Sequence, residues 1–200
     1  MDIRLTQVSK RFQDKLLLEN LSLIFPEGRL TCLMGPSGSG KTTIINCILG
    51  LTKPDSGEIT GTEGKLIAAV FQEDRLIEHW DAVRNVKLVC DKAVTTTQVL
   101  EELKEVGLEE AFKKPVRDYS GGMRRRVAIV RAMLAQSELI VLDEPFQGLD
   151  DRLKYQVIDY VKRKTIGKTV ILVTHDREEA ERLGAERISL GDNTVSCPQE

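Results

Sequence analysis

The sequence predicts an α/β fold with a mostly parallel central sheet, and three observations support this prediction. Short apolar runs occur at positions 30–34, 66–71, 139–142 and 170–173. Such runs are typical of strands that are buried on both faces. Helical patterns lie between them, and strands that alternate with helices favour a parallel sheet. Each run also stops at a polar residue or a glycine, and ligands bind beyond the carboxyl ends of such strands.

Two helices are predicted from apolar residues that recur at helical spacing. The residues of the two patterns are Leu153, Val157 and Val161 in one, and Val99, Leu103 and Val106 in the other. Thr95 lies just before the second pattern, and Gln98 is three residues after Thr95, which is the spacing of a capping box. The stretch that starts near residue 75 contains helix signals but no strong strand. We therefore expect a helical subdomain over about 75–135, inserted in the sheet domain.

Composition limits the class of protein. With 200 residues, of which 41% are apolar, the chain can bury one sizeable core, so we expect a single domain over 1–200. The net charge of -2 gives no overall attraction to nucleic acid or anionic lipid. The longest apolar run, 66–71, is far shorter than the roughly 20 residues that cross a bilayer.

The amino terminus and the cysteines both favour the cytosol. The first residues lack the order of a signal peptide. The cysteines show neither CxxC nor metal-ligand spacing, and a reducing compartment would keep them as thiols; they are Cys32, Cys47, Cys90 and Cys197. Cys32 and Cys47 lie in apolar surroundings and are expected in the core.

A phosphate-binding loop is the strongest motif. The pattern G-x-x-x-x-G-K-[ST] is matched by Gly35, Pro36, Ser37, Gly38, Ser39, Gly40, Lys41 and Thr42, and Thr43 follows directly. The motif lies between a predicted strand and a helical pattern, where glycines and helix N–H groups favour anionic oxygens. Lys41 would reach the β- and γ-phosphates of ATP, and Thr42 would bind Mg²⁺.

Acidic residues and a histidine follow two further predicted strands. Asp143 is suited to hold Mg²⁺, and Glu144 to deprotonate an attacking water. The alternative is a solvated acidic turn. His175 follows the next strand, where it either has a structural role or contacts the γ-phosphate or the water.

A second helix start carries the resemblance to a family. Ser120, Gly121 and Gly122 open a predicted helix and offer a hydroxyl and backbone N–H groups to an anion. With the phosphate-binding loop, this segment resembles the signature motif of the ATP-binding-cassette family. Tyr119 and Met123 stand where that family usually has leucine and glutamine.

The resemblance extends over nearly the whole chain. Gln72 resembles the glutamine that contacts nucleotide and Mg²⁺, residues 148–150 resemble the D-loop, and His175 resembles the switch histidine. Phe12 resembles the aromatic residue that stacks on adenine; the alternative is a core phenylalanine. Gln72 lies only 31 positions after Lys41, so we expect a reduced antiparallel part.

The resemblance implies the fold of these ATPases, a head-to-tail homodimer that encloses ATP, and the cytoplasmic motor subunit of a membrane transporter. Permease subunits at the cytoplasmic face of the membrane would be its partners, and an extracytoplasmic solute-binding protein an indirect one. The segment 71–76 and the SGGM form are most similar to importers of nitrate, sulfonate and taurine. An apolar group would contact the permease or pack inside the lobe; it comprises Leu76, Ile77, Trp80 and Val83.

Two other functions stay open. One is a soluble cassette ATPase that acts on nucleic acid or ribosomes, although no nucleic-acid partner is expected. Residues 124–126 form an arginine run that would serve such binding, but a solvated or intersubunit role is the alternative. The other function is a P-loop kinase for a small molecule. Adjacent Asp143 and Glu144 favour water as the phosphoryl acceptor over a metabolite.

Overall fold

The central sheet has five parallel strands. The computed structural model describes residues 1–13, 15–109 and 114–190. The strands are β3 (Leu30–Met34), β5 (Ile67–Val70), β6 (Leu139–Asp143), β7 (Thr169–Val173) and β8 (Glu186–Ser189), in the order β5-β6-β7-β3-β8. Every residue of β6 and β7 is buried, as expected for strands covered on both faces. The predicted parallel α/β sheet is confirmed.

A small antiparallel sheet packs beside it. Its strands are β1 (Ile3–Phe12), β2 (Lys15–Phe25) and β4 (Ser56–Thr60), in the order β2-β1-β4. Ile3, Leu5 and Phe25 are buried in one apolar cluster with Ile44 of the first helix. Between Lys41 and Gln72, only β4 among the described strands belongs to this antiparallel sheet. The expectation of a small antiparallel part is therefore confirmed.

Six α-helices and a 3-10 helix surround the sheets in the described part of the chain. They are α1 (Lys41–Ile48), α2 (Ala82–Lys87), α3 (Thr96–Glu105), the 3-10 helix Val116–Asp118, α4 (Gly121–Leu134), α5 (Asp151–Lys164) and α6 (Arg177–Leu183). Both predicted helices are present as α3 and α5. The Thr95 and Gln98 capping box at the start of α3 is present as well. In the sequence, helices α2, α3 and α4 all lie between β5 and β6.

The core accounts for several predicted apolar positions. Cys32 and Cys47 are buried, as predicted, whereas Cys197 lies outside the described residues. Leu76 and Val83 pack against the main apolar cluster, which favours packing inside the helical region for these two side chains. None of the helices described here is long and apolar enough to cross a membrane.

Candidate nucleotide-binding site

The loop between β3 and α1 has a backbone that requires glycine. Gly40, the N-cap of α1, has φ +91°, in the left-handed region. A Cβ at this position would lie 2.6 Å from Leu18 Cδ2. The loop therefore approaches the β1–β2 sheet closely. A side chain at position 40 would clash with Leu18 and push the loop and the sheet apart.

Lys41 begins α1 and turns back over the loop. Its Nζ donates to the carbonyl oxygens of Gly35 and Pro36, each at 2.8 Å. Both acceptors are neutral, and an ammonium forms stronger hydrogen bonds with phosphate oxygens than with carbonyls. The ammonium is thus positioned at the loop for an anionic ligand.

Thr42 and Asp143 meet beneath the loop. Thr42 Oγ1 donates to Asp143 Oδ2 at 3.4 Å. Asp143 is almost fully buried, and its Oδ1 accepts no hydrogen bond from the described residues. Burial raises the pKa of this carboxyl, and the charge of Glu144 adds to the increase. A cation at this point would satisfy the unpaired oxygen and favour the charged form.

Glu144 and His175 form a pair at the ends of β6 and β7. His175 Nδ1 lies 3.0 Å from Glu144 Oε1 and 3.1 Å from Oε2. The hydrogen bond and the negative charge of Glu144 raise the pKa of His175. Glu144 has φ +48°, unusual for a residue with a side chain, and its N–H donates to Val173 O at 2.9 Å. The turn directs a carboxylate and an imidazole toward the same space.

One cavity of about 300 Å³ brings most of the predicted residues together. Its lining is Leu17, Gly35, Ser37, Gly38, Gly40, Lys41, Thr42, Thr43, Gln72, Asp143, Glu144, Val173 and His175. We call it the P-loop cavity. Pro36 and Ser39 belong to the loop but do not line the cavity: Pro36 O accepts from Lys41, and Ser39 Oγ is buried.

Ser120, Gly121 and Gly122 lie in a separate cavity. Ser120 is the N-cap of α4, and its Oγ accepts from Met123 N at 3.2 Å. A Cβ at Gly122 would lie 3.1 Å from Gly148 O, so this glycine permits the close approach of residues 147–150. We call this second cavity, which the three residues help to line, the serine site. It shares no lining residue with the P-loop cavity.

The arginine run at 124–126 is mostly not solvated, contrary to one of the alternatives above. Arg125 is 7% exposed and donates to the carbonyl oxygens of Phe71 and Gln72. Arg126 is 6% exposed and donates to Val106 O and Gly107 O at 2.9 and 2.7 Å. Hydrogen bonds to backbone carbonyls compensate for the burial of both guanidinium groups, and this burial makes both poorly accessible to a nucleic-acid backbone.

Phe12 lies outside the cavity lining. Its side chain is 46% exposed near the end of β1, so the core alternative is wrong. Lys10 Nζ lies 5.4 Å from the centroid of its ring. Sequence reasoning missed Leu17, which lines the cavity from β2, because no local pattern brings a hairpin residue next to the loop at 35–42.

The fold and the P-loop cavity together define a P-loop nucleotide-binding protein. Comparison with known families is more specific, because the ABC transporter family matches residues 18–147. The chain belongs to this ABC transporter family. The resemblance drawn from the motifs is therefore confirmed.

Individual relatives are ATP-binding proteins of importers. The spermidine/putrescine import protein PotA of Mycoplasma capricolum is 33% identical over 209 residues, which cover 96% of this chain and 60% of PotA. The aliphatic sulfonates import protein SsuB 3 of Rhodococcus jostii is 37% identical, with 96% of this chain and 71% of that protein covered. The chain thus spans about three fifths of the length of PotA.

Solved structures of one bacterial ABC transporter cassette, MJ0796, share the fold. The dimeric structure has a TM-score of 0.83 and 32% identity, and the match covers 98% of this chain and 97% of that one. A dimeric post-hydrolysis state of the same cassette, bound to ADP and Pi, has a TM-score of 0.81.

Proposed function

We propose that the chain is the ATP-hydrolysing motor subunit of an ABC importer for a small solute. The observation that carries this proposal is the P-loop cavity, in which a phosphate-binding loop, a buried aspartate and a glutamate–histidine pair converge. The importer relatives support the coupling to transport. In this proposal, the transported solute does not contact the P-loop cavity.

Lys41 and the N–H groups of residues 35–42 hold the β- and γ-phosphates of ATP. Glu144 accepts a proton from the attacking water, since a carboxylate at a strand end next to the phosphate is placed as a general base. His175 leaves its hydrogen bond with Glu144 and contacts the γ-phosphate or the water. Separation of this pair frees the carboxylate for its catalytic step.

The residues fit a Mg²⁺ ion. Thr42 Oγ1, a carboxylate oxygen of Asp143 and the amide oxygen of Gln72 are hard donors of the kind that Mg²⁺ prefers. The unpaired Asp143 Oδ1 is a further reason to place a cation there. When bound, a Mg²⁺ ion would be held by Thr42, Asp143 and Gln72 and would supply positive charge that offsets the negative charge of the phosphates.

The active assembly in this proposal is a head-to-tail homodimer. Within one chain, the serine site and the P-loop cavity are separate, so a second copy must provide Ser120, Gly121 and Gly122 to the γ-phosphate. Phe12, exposed on the hairpin of β1 and β2, stacks on the adenine. The dimeric MJ0796 structure supports the association of two copies.

The remaining partners follow from the transport function. Integral-membrane permease subunits dock the chain at the cytoplasmic face of the membrane, and a solute-binding protein delivers the cargo on the other side. Residues of about 75–135 act as an inserted helical subdomain of a single domain over 1–200, which the position of α2, α3 and α4 between β5 and β6 supports.

The test is phosphate release from Mg-ATP by the purified chain, alone and with its co-purified membrane partner. We expect Mg²⁺-dependent hydrolysis that the membrane partner stimulates. Incubation with labelled ATP and candidate metabolites provides the control for phosphoryl transfer. A phosphorylated metabolite in place of free phosphate would indicate a kinase and contradict the proposal.

A further inference from the structure

A buried carboxylate lies next to the turn that carries His175. Glu179, on α6, is 6% exposed, and its Oε2 accepts a hydrogen bond of 2.6 Å from Thr174 Oγ1. Thr174 is fully buried, so water does not compete for this contact. The same hydroxyl accepts from Asp176 N at 3.1 Å. The two residues that flank His175 in the chain are therefore joined to each other through one threonine hydroxyl.

Lys154 of α5 completes this group of contacts. Its Nζ donates to Asp176 Oδ2 at 2.9 Å and lies 3.7 Å from Glu179 Oε1. Burial raises the pKa of the Glu179 carboxyl, whereas the Thr174 hydroxyl and the charge of Lys154 favour its ionised form. The contacts close into a ring, which we call the threonine ring, and its members are Thr174, Glu179, Lys154 and Asp176.

His175 is held through its backbone more than through its side chain. The side chain is 72% exposed, and its Nδ1 lies 3.0 Å from Glu144 Oε1. An exposed side chain with this contact alone would keep much of its rotational freedom, since water competes for the hydrogen bond. The backbone on each side of His175 belongs to the threonine ring. The ring therefore determines where the imidazole can reach.

We propose that Glu179 is a positioning residue: through the threonine ring it fixes the turn at 174–176, so that His175 meets Glu144 in the geometry that hydrolysis needs. This inference rests on the proposed function, in which both of these side chains take part. Glu179 is not among the residues that line the P-loop cavity, so it acts through Thr174 and not on the phosphate. A misplacement of about 1 Å at a reacting group can slow a reaction about 100-fold, which gives the ring a consequence for the rate.

The first readout is the NMR signal of the His175 imidazole in the full chain without nucleotide. The chain has two histidines, and His79, which does not line the P-loop cavity, is the internal reference. Thr174→Val replaces the hydroxyl by a methyl group of similar size. It should move the His175 signal toward the position that it has in Glu144→Gln, because the contact with the carboxylate is weakened in the first variant and lost in the second. The His79 signal should stay in place.

The second readout is hydrolysis of Mg-ATP by the chain with its co-purified membrane partner. Thr174→Val should lower kcat by about 10- to 100-fold, as expected for a misplaced group, and keep KM for ATP within about twofold. Thr174→Ser retains the hydroxyl and should retain both the His175 signal and kcat. Glu179→Gln keeps an oxygen that accepts from Thr174 but loses the charge that faces Lys154, so both readouts should change in the same direction and by less.

Thr169→Val is the matched control for stability. Thr169 begins β7, the strand that Thr174 follows, and it is also buried. Its Oγ1 accepts from Gly28 N at 2.9 Å, so this variant also loses a threonine hydroxyl that pairs a backbone N–H, at the opposite end of the strand. It should lower the melting temperature as Thr174→Val does and leave the His175 signal and kcat unchanged.

The outcomes distinguish this inference from the proposed function. If either the His175 signal or kcat of Thr174→Val equals that of the unaltered chain, the positioning role is wrong and the ATPase proposal stands. The same conclusion follows if Thr174→Ser or Thr169→Val is as slow as Thr174→Val, since the loss would then not depend on the hydroxyl of the ring. If the unaltered chain releases no phosphate from Mg-ATP, the proposed function fails and the inference fails with it. If Thr174→Val does not fold, the same two measurements on Glu179→Gln decide.

Discussion

The P-loop cavity and the serine site both begin at a helix N-terminus, but they contain different chemical groups. The first combines the ammonium of Lys41 with the carboxylates of Asp143 and Glu144. The serine site is bordered by Arg125 and Arg126, which donate hydrogen bonds to the carbonyl oxygens of Gln72 and Gly107. The groups that it offers to an anion include the Ser120 hydroxyl and backbone N–H groups. In the proposed function, hydrolysis therefore depends on the first site, and the second site completes it.

The largest effect should come from Glu144→Gln in the P-loop cavity. Loss of a general base slows the chemical step by about 10²–10⁴-fold, while the amide keeps the shape of the side chain, so ATP binding should persist. Phosphate release and direct ATP titration measure the two quantities. Unchanged turnover would remove Glu144 from the mechanism.

Lys41→Ala should weaken ATP binding in the same cavity. Loss of a charge-assisted contact to phosphate corresponds to about 10- to 100-fold in affinity. Lys53→Ala, at an exposed position outside the cavity lining, is the control and should bind ATP normally. Full affinity of the Lys41 variant in a direct titration would mean that the loop does not hold the phosphates.

Ser120→Ala addresses the other side of the comparison. We expect about tenfold slower hydrolysis, the value of one hydrogen bond to a charged group, with unchanged ATP affinity of the single chain. The variant also loses a helix cap, so Thr95→Ala, which loses the equivalent cap of α3, is the matched control. Both variants should lose about 1 kcal/mol of stability, but only the first should hydrolyse slowly. Equal hydrolysis rates in the two variants would argue against a catalytic contribution of the serine site.

The smallest expected effect is the pH-dependent stability that the pair of Glu144 and His175 contributes when no nucleotide is bound. Since Glu144 raises the pKa of His175, the pair stabilises the folded state below the unfolded pKa of about 6.5. This contribution is lost as pH rises through the folded pKa. It should be under about 1 kcal/mol, because the His175 side chain is mostly exposed to solvent. NMR titration should show that Glu144→Gln lowers the pKa of His175; no change would mean that the pair does not form in solution.

The sequence was sufficient to predict four of the five strands of the parallel sheet, all but β8, and most of the P-loop cavity, and the reason is physical. The apolar runs that become β3, β6 and β7 are buried on both faces, so their ends are marked in the sequence, and Asp143, Glu144 and His175 follow from those ends. A local motif likewise predicts the loop around Lys41.

The long-range contacts were not predictable in this way. The contact of Arg125 with Phe71 O joins residues that are 54 positions apart, and a carbonyl acceptor has no signal in the sequence. An arginine run is normally a solvated feature, so its burial is decided by tertiary structure alone. The exposure of Phe12 likewise depends on how the β1–β2 hairpin packs against the rest of the chain. The residue type at position 12 does not determine that packing.

The most direct test of the account is a crystal structure of the Glu144→Gln variant with Mg-ATP. We expect two copies related head to tail, with each γ-phosphate held by Lys41 and Thr42 of one copy and by Ser120 of the other. A nucleotide whose γ-phosphate is contacted by one copy only, in a closed assembly, or is bound away from Lys41, would contradict it.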